Sequence, residues 1–135
     1  MTSRVQALVV THGDLAAELL STARLISGTA EGVSALCLDW EDSLEEARRK
    51  VEEAVRRLDQ GSGVLILTDI FGDTPSNAAI GLRKPGRIEV VTGVNLPMVL
   101  RLACSGDRPE AIRDLALWIR EKGRKSICLI PEPKE

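Results

Sequence analysis

His12 is the sole histidine of this 135-residue chain. It lies in VVTHGDLAAELL, between a run of apolar β-formers and a helical pattern. An imidazole has two ring nitrogens with separable jobs. If a carboxylate accepts a hydrogen bond from one N–H, the tautomer is fixed and the other nitrogen keeps a free lone pair. Such a ring is a nucleophile or a general base. Asp69, at the end of the apolar run VLILT, is the leading candidate for the orienting carboxylate. Asp14 is nearer in sequence, but the N-cap of the following helix explains it well. Asp73 is a third possibility.

Around these groups, Gly72, Asp73 and Thr74 form a turn that a phosphoryl group could occupy. Thr74 supplies a hydroxyl, Gly72 permits close backbone approach, and helix N-termini offer unpaired amides and positive dipole ends. The combination suits a phosphoryl group carried on His12, with charge stabilised by amides and Thr74 and no metal required. Each piece also has a plain structural reading. A lone histidine on a loop is commonly a surface or capping residue. Asp-Thr-Pro starts a helix with no further purpose. GVNLP serves equally as a turn and a cap. The glycines form neither GxGxxG nor a Walker A loop, and no GxSxG elbow accompanies the histidine.

The elements that must position these residues alternate. Residues 4–10, 33–39, 64–68, 87–92 and 125–130 read as strands. Helical spacing covers 14–27 (Leu15, Leu19, Leu20 and Ile26 inward, Gly28 as C-cap) and 44–59, where Ser43 and Glu46 make a capping box. Thr74-Pro75 reads as N-cap and first residue of a short helix. Further helices run from Asn95 and Pro97 to about Ala103, and from Pro109 to Lys122 with Ile112, Leu115, Ala116 and Ile119 inward. Alternating strands and helices imply an α/β fold with a mainly parallel central sheet covered by helices. Ligands of such sheets bind beyond the carboxyl ends of the strands. Three loops lie there: 11–14, 69–74 and 93–95. They would bring together His12, Asp69, Thr74 and Asn95. The apolar residues of that edge, Ile70, Phe71, Leu96, Pro97 and Met98, form a candidate docking rim or ordinary core.

Composition narrows the function classes. The length suits one domain, residues 1–135. One phenylalanine, two tryptophans and no tyrosine argue against a nucleic-acid stacking platform, and a net charge of -2 gives no basic footprint for phosphate backbone. No run is long and apolar enough to span a bilayer, and no signal-peptide pattern opens the chain, so a cytoplasmic location is expected. Cys37, Cys104 and Cys128 each sit in an apolar run and read as buried thiols; no clustered Cys and His suggests zinc.

Three segments, ALVVTHGDLAAELL, GVLILTDIFGDTPSNAA and VVTGVNLPMVLRL, resemble in order and spacing the signature segments of a known family. It is the mannose-family IIA component of the bacterial phosphoenolpyruvate:sugar phosphotransferase system. The resemblance runs from about residue 4 to residue 130. It implies a single IIA domain and a homodimer in which the final strand, here 125–130, is exchanged into the partner's sheet as an antiparallel strand. It further implies a phosphoacceptor histidine at His12, a ring-orienting aspartate at Asp69, and a phosphate-binding hydroxyl at Thr74. The implied donor is the phosphocarrier protein HPr, and the implied acceptor is a IIB protein that passes the group to a sugar. No cofactor is implied.

Two residues depart from the family's GG[ST]PFNAA pattern: Asp73 replaces a glycine and Ser76 an aromatic. Asp73 puts a negative charge beside the expected phosphoryl site, and Ser76 suggests an altered docking face. The IIA-like part of the dihydroxyacetone kinase system shares the fold and the histidine, but TPSN and GVNLP are closer to the mannose family. Two other functions are compatible with chemistry at His12: a regulatory module read out through the phosphorylation state of His12, and a hydrolase using His12 as general base.

Overall fold

A computed structural model of the chain describes residues 3–104 and 106–134. Strands and helices alternate through them: β1 (Gln6–His12), α1 (Leu15–Ser27), β2 (Val33–Leu38), α2 (Leu44–Leu58), β3 (Val64–Thr68), α3 (Thr74–Ile80), β4 (Ile88–Thr92), α4 (Leu96–Cys104) and α5 (Ile112–Lys125). The strands are parallel throughout and lie in the order β2-β1-β3-β4.

The apolar runs of β1 and β3 have no polar alternation because both faces of the sheet are covered. Val5, Ala7, Val9, Leu65 and Leu67 pack on one side against Ala16, Leu20 and Ala23 of α1, Val99 and Leu102 of α4, and Leu115 and Ile119 of α5. Leu8, Val10, Val64 and Ile66 pack on the other against Ala47, Val51 and Val55 of α2 and Ala78 and Ala79 of α3. The chain therefore leaves β1 toward one face and leaves the adjacent β3 toward the other. Their loops diverge at the carboxyl edge, which is the kind of switch point where parallel sheets bind ligands. Among the described residues, no helix is long and apolar enough to cross a membrane.

Several local expectations hold. Gly28 ends α1 in the left-handed conformation, its N–H donating to the Arg24 carbonyl, and Ser43 and Glu46 cap α2 reciprocally. Others are corrected. Of the expected inward face of α1, Leu20 is buried and Leu19 packs partly against the core, but Leu15 and Ile26 are exposed and Ala16 and Ala23 take their place. The small alanines let α1 lie close to the sheet, which a Leu/Ile stripe would prevent.

The expected last strand does not form within this chain. α5 continues to Lys125, because Lys122, Arg124 and Lys125 place positive charge at the negative end of its dipole. Residues 127–134 have no regular structure, and Ile127, Leu129 and Ile130 face solvent. The cysteines are not buried thiols either. Cys37 is half-buried, Cys104 is exposed at the end of α4, and Cys128 is exposed in the tail.

Candidate active site at the carboxyl edge of the sheet

β1 runs two residues further than its apolar stretch suggests, so His12 is the last strand residue, paired with Leu38 of β2. That pairing fixes the backbone beneath the ring. Asp69 follows the last residue of β3 and reaches back to His12. Its Oδ2 accepts from the His12 backbone N–H at 2.9 Å and lies 2.8 Å from ring Nδ1. Its Oδ1 accepts from the Ile70 N–H at 2.8 Å. With an ionised carboxylate as partner, Nδ1 is the donor and Nε2 is directed away from Asp69. Burial pushes the Asp69 carboxyl upward, but the His12 backbone N–H, the His12 ring and the Ile70 N–H together hold it below the ordinary aspartate value. Asp69 is therefore an ionised, immobilised orienter.

Asp14 does not compete for that role. It is exposed and its side chain makes no cap bond. Thr11, fully buried, does the capping: its Oγ1 accepts from the Ala16 N–H at 2.7 Å.

The turn before α3 differs from the expected one. The N-cap is Asp73, and Thr74 is already the first helical residue. Asp73 Oδ1 accepts from the Thr74 N–H at 2.9 Å. Ser76 Oγ accepts from the N–H groups of Gly72 and Asp73, at 3.0 and 3.2 Å, and donates to the Asp73 carbonyl. Ser76 is fully buried, so it shapes the loop and is not part of a docking face. Asp73 and Ser76, the two departures from the family pattern, are thus one reciprocal cap. The amides of residues 72, 73 and 74, expected to be open to a phosphoryl group, already have acceptors inside the loop. Thr74 is half-buried at this edge. Gly72 is required by its backbone, with φ at +92°; nothing lies within 4 Å of the place a Cβ would take, so close approach is not its role.

The second carboxylate oxygen of Asp73 lies 3.1 Å from Nε2 of His12. The imidazole thus sits between two aspartates, one on each nitrogen. Trp40 covers one face of the ring, with centroids 4.9 Å apart and planes 21° from parallel. Gly13, at φ +53°, makes the turn beneath the indole; a Cβ there would stand 3.1 Å from Trp40 Nε1. Trp40 was absent from the candidate residues, yet a signal existed. β2 also ends at the carboxyl edge, and the segment DWEDS leads from it into α2. The strand order then puts that loop beside β1.

The same order removes the third expected loop from the ring, since β3 stands between β1 and β4. Asn95 caps α4, its Oδ1 accepting from the Met98 N–H at 3.1 Å, while its Nδ2 donates to the Gly123 carbonyl at the end of α5. Met98 is buried in the core and Leu96 packs partly against it, so neither forms a rim as expected. Pro97, Ile70 and Phe71 are exposed, Phe71 by 74%. Trp40, exposed by 76%, joins them as an apolar group at the edge.

This arrangement supplies an imidazole oriented at Nδ1 by a largely buried aspartate and met at Nε2 by a solvent-exposed one, with exposed apolar side chains at the same edge. Among the described residues no group of three His, Cys, Asp or Glu side chains is placed to hold a metal ion.

Comparison with known proteins identifies the family. A family profile described as "PTS system fructose IIA component", of the mannose IIA type, matches residues 6–116. The chain is 32% identical over 122 residues to the "PTS system mannose-specific EIIAB component" of Escherichia coli K12, covering 89% of this chain and 38% of that protein. It is 26% identical over 132 residues to the "PTS system fructose-specific EIIA component" of Bacillus subtilis 168, covering 97% and 90%. The chain thus spans well under half the length of the EIIAB relatives, and most of the length of the EIIA one. Among solved structures, the mannose/sorbose-specific IIA subunit from Enterococcus faecalis superposes with a TM-score of 0.84 at 25% identity, covering 98% of both chains. The sequence match, the fold and the oriented histidine agree: this chain belongs to the mannose-family IIA components of the bacterial sugar phosphotransferase system.

Proposed function

We propose that the protein is a phosphocarrier that accepts a phosphoryl group from phospho-HPr on Nε2 of His12 and passes it to a IIB protein. The observation that carries this reading is the Asp69 contact at 2.8 Å, which occupies Nδ1 and leaves Nε2, met by the exposed Asp73 carboxylate, as the nitrogen that can reach a donor. In transfer, Nε2 attacks the phosphorus in line, the bond to the donor's ring nitrogen breaks, and that nitrogen keeps the electron pair. Asp69 stabilises the positive charge that develops on the His12 ring. The Thr74 hydroxyl is assigned to a phosphoryl oxygen. Ile70, Phe71, Pro97 and Trp40 serve as the apolar docking rim for HPr and for the acceptor. The exposed Ile127, Leu129 and Ile130 suit a segment that is covered by a second copy, which supports a homodimer with the tail as an exchanged strand. A cytoplasmic location follows from partners of this kind.

The test is phosphoryl transfer from phosphoenolpyruvate through enzyme I and HPr, read by intact mass. One acid-labile, base-stable phosphoryl group is expected on the wild type and none on His12→Ala. A wild type that stays unlabelled with HPr of proven activity would remove the assignment.

A further inference from the structure

We infer that Asp73 is a tethered stand-in for the phosphoryl group: its carboxylate closes Nε2 of His12 in the resting site, must leave before the ring accepts phosphate, and favours handing the group on. The inference rests on His12 being the phosphoacceptor. Its basis is the contact at 3.1 Å between Asp73 Oδ2 and Nε2, made while Oδ1 of the same carboxylate holds the Thr74 N–H at 2.9 Å. The outward direction of the nucleophile and the neighbouring amide are covered by one anion.

The two aspartates on the ring are not equivalent. Asp69 is only 12% exposed and is fixed by two backbone amides besides the ring. Asp73 is 58% exposed, and rotation of its side chain opens toward solvent. The loop does not depend on that side chain alone, because Ser76 Oγ holds the Gly72 and Asp73 amides independently. Trp40 on the ring face and Asp69 on Nδ1 keep the imidazole from turning aside, so the displaceable group is Asp73.

The Nε2 contact is a hydrogen bond only while that nitrogen carries a proton. Attack on phosphorus needs the Nε2 lone pair uncovered, so the Asp73 side chain must rotate outward, any proton on Nε2 passing to solvent. Nε2 attacks phosphorus, and the donor's P–N bond breaks with its electron pair returning to the donor nitrogen. On the phosphorylated ring, the Asp73 charge lies next to a group of charge near -2. That repulsion raises the energy of the phosphorylated state and drives the group onward.

Phosphoramidate tests this without any protein donor: its P–NH2 bond breaks, ammonia leaves, and the phosphoryl group passes to histidine. With one histidine in the chain, an added phosphoryl mass reports on His12 directly. Asp73→Ser keeps an N-cap side chain but is too short to close Nε2. It is expected to be labelled about tenfold faster than wild type and to lose its label more slowly, matching loss of one charge-assisted hydrogen bond. Asp73→Asn, which keeps cap and volume and drops only the charge, should gain about threefold and serves if the Ser variant does not fold. In 15N spectra of the His12 ring, the Nε2 resonance should move in Asp73→Ser while the Nδ1 resonance, held by Asp69, stays in place, a split that loop stability alone would not produce. Labelling rates within about twofold of wild type in whichever of these variants folds would overturn the inference. Labelling by phosphoramidate without labelling by phospho-HPr would instead remove the donor assignment and leave the role of Asp73 standing. Label persisting on His12→Ala would remove both.

Discussion

The Asp69 carboxylate sets the orientation of the His12 ring. Asp69 binds the ring and the strand backbone with the same oxygen, so ring orientation and chain path are fixed together. Asp69→Asn keeps the shape but replaces a charged acceptor with a neutral amide. Phosphoryl acceptance from HPr should fall by about a hundredfold, measured as initial rate, with the fold retained. The depressed Asp69 carboxyl also has a signature in stability. A carboxylate held below its ordinary value of 3.8 contributes stability that is full above that value and is lost as pH falls through the lower folded value. The stability difference between wild type and Asp69→Asn, measured by urea unfolding, should therefore be constant near neutrality and shrink once the pH drops below about 4. A difference that grew on acidification would show that Asp69 is not held ionised by the fold.

At the scale of the element, the site depends on how α3 begins. The α2 capping box is legible in sequence because Ser43 and Glu46 are the residue types that identify such a cap. The α3 start is ambiguous, since Thr74-Pro75 and Asp73-Thr74 both satisfy local rules for a helix N-terminus. Tertiary burial settles it. Ser76 is enclosed, and its hydroxyl is the acceptor for the two preceding amides, so the cap falls on Asp73. Ser76→Ala would strand both amides in a part-buried loop. We expect a loss of about 2 kcal/mol in urea unfolding with an unchanged slope. A loss under about 0.5 kcal/mol would mean that water replaces the hydroxyl.

At the scale of the molecule, the C-terminal tail is the feature a lone chain does not explain. Ile127, Leu129 and Ile130 alternate with polar residues less completely than a solvated tail would, and Leu129 is 95% exposed. If the proposed exchange occurs, a chain ending at Ser126 should keep its far-ultraviolet circular dichroism and its phosphorylation at His12, but sediment as a monomer where the full chain sediments as a dimer. A full chain that is monomeric at high concentration would exclude the exchanged strand. The same tail explains why Cys128 is exposed, although an apolar run suggests burial. Hydropathy reports that a segment prefers cover; it does not report whether the cover is in the same chain.

The sequence by itself determined the alternation of elements, the parallel sheet buried on both faces, and the placing of His12 and Asp69 at strand ends. These follow from apolar periodicity, caps and turn residues, which act between neighbours along the chain. Resemblance in three short segments added the family. The tertiary structure alone decided that Trp40 lies on the imidazole, that Asp73 closes its second nitrogen, and that Asn95 belongs to the packing of α4 against α5. Each of those depends on strand order, which sets the loop after β2 beside β1 and keeps the loop after β4 one strand further away. Strand order is fixed by how helices of given size cover the two faces, a property of the packed whole that no local stretch of sequence contains.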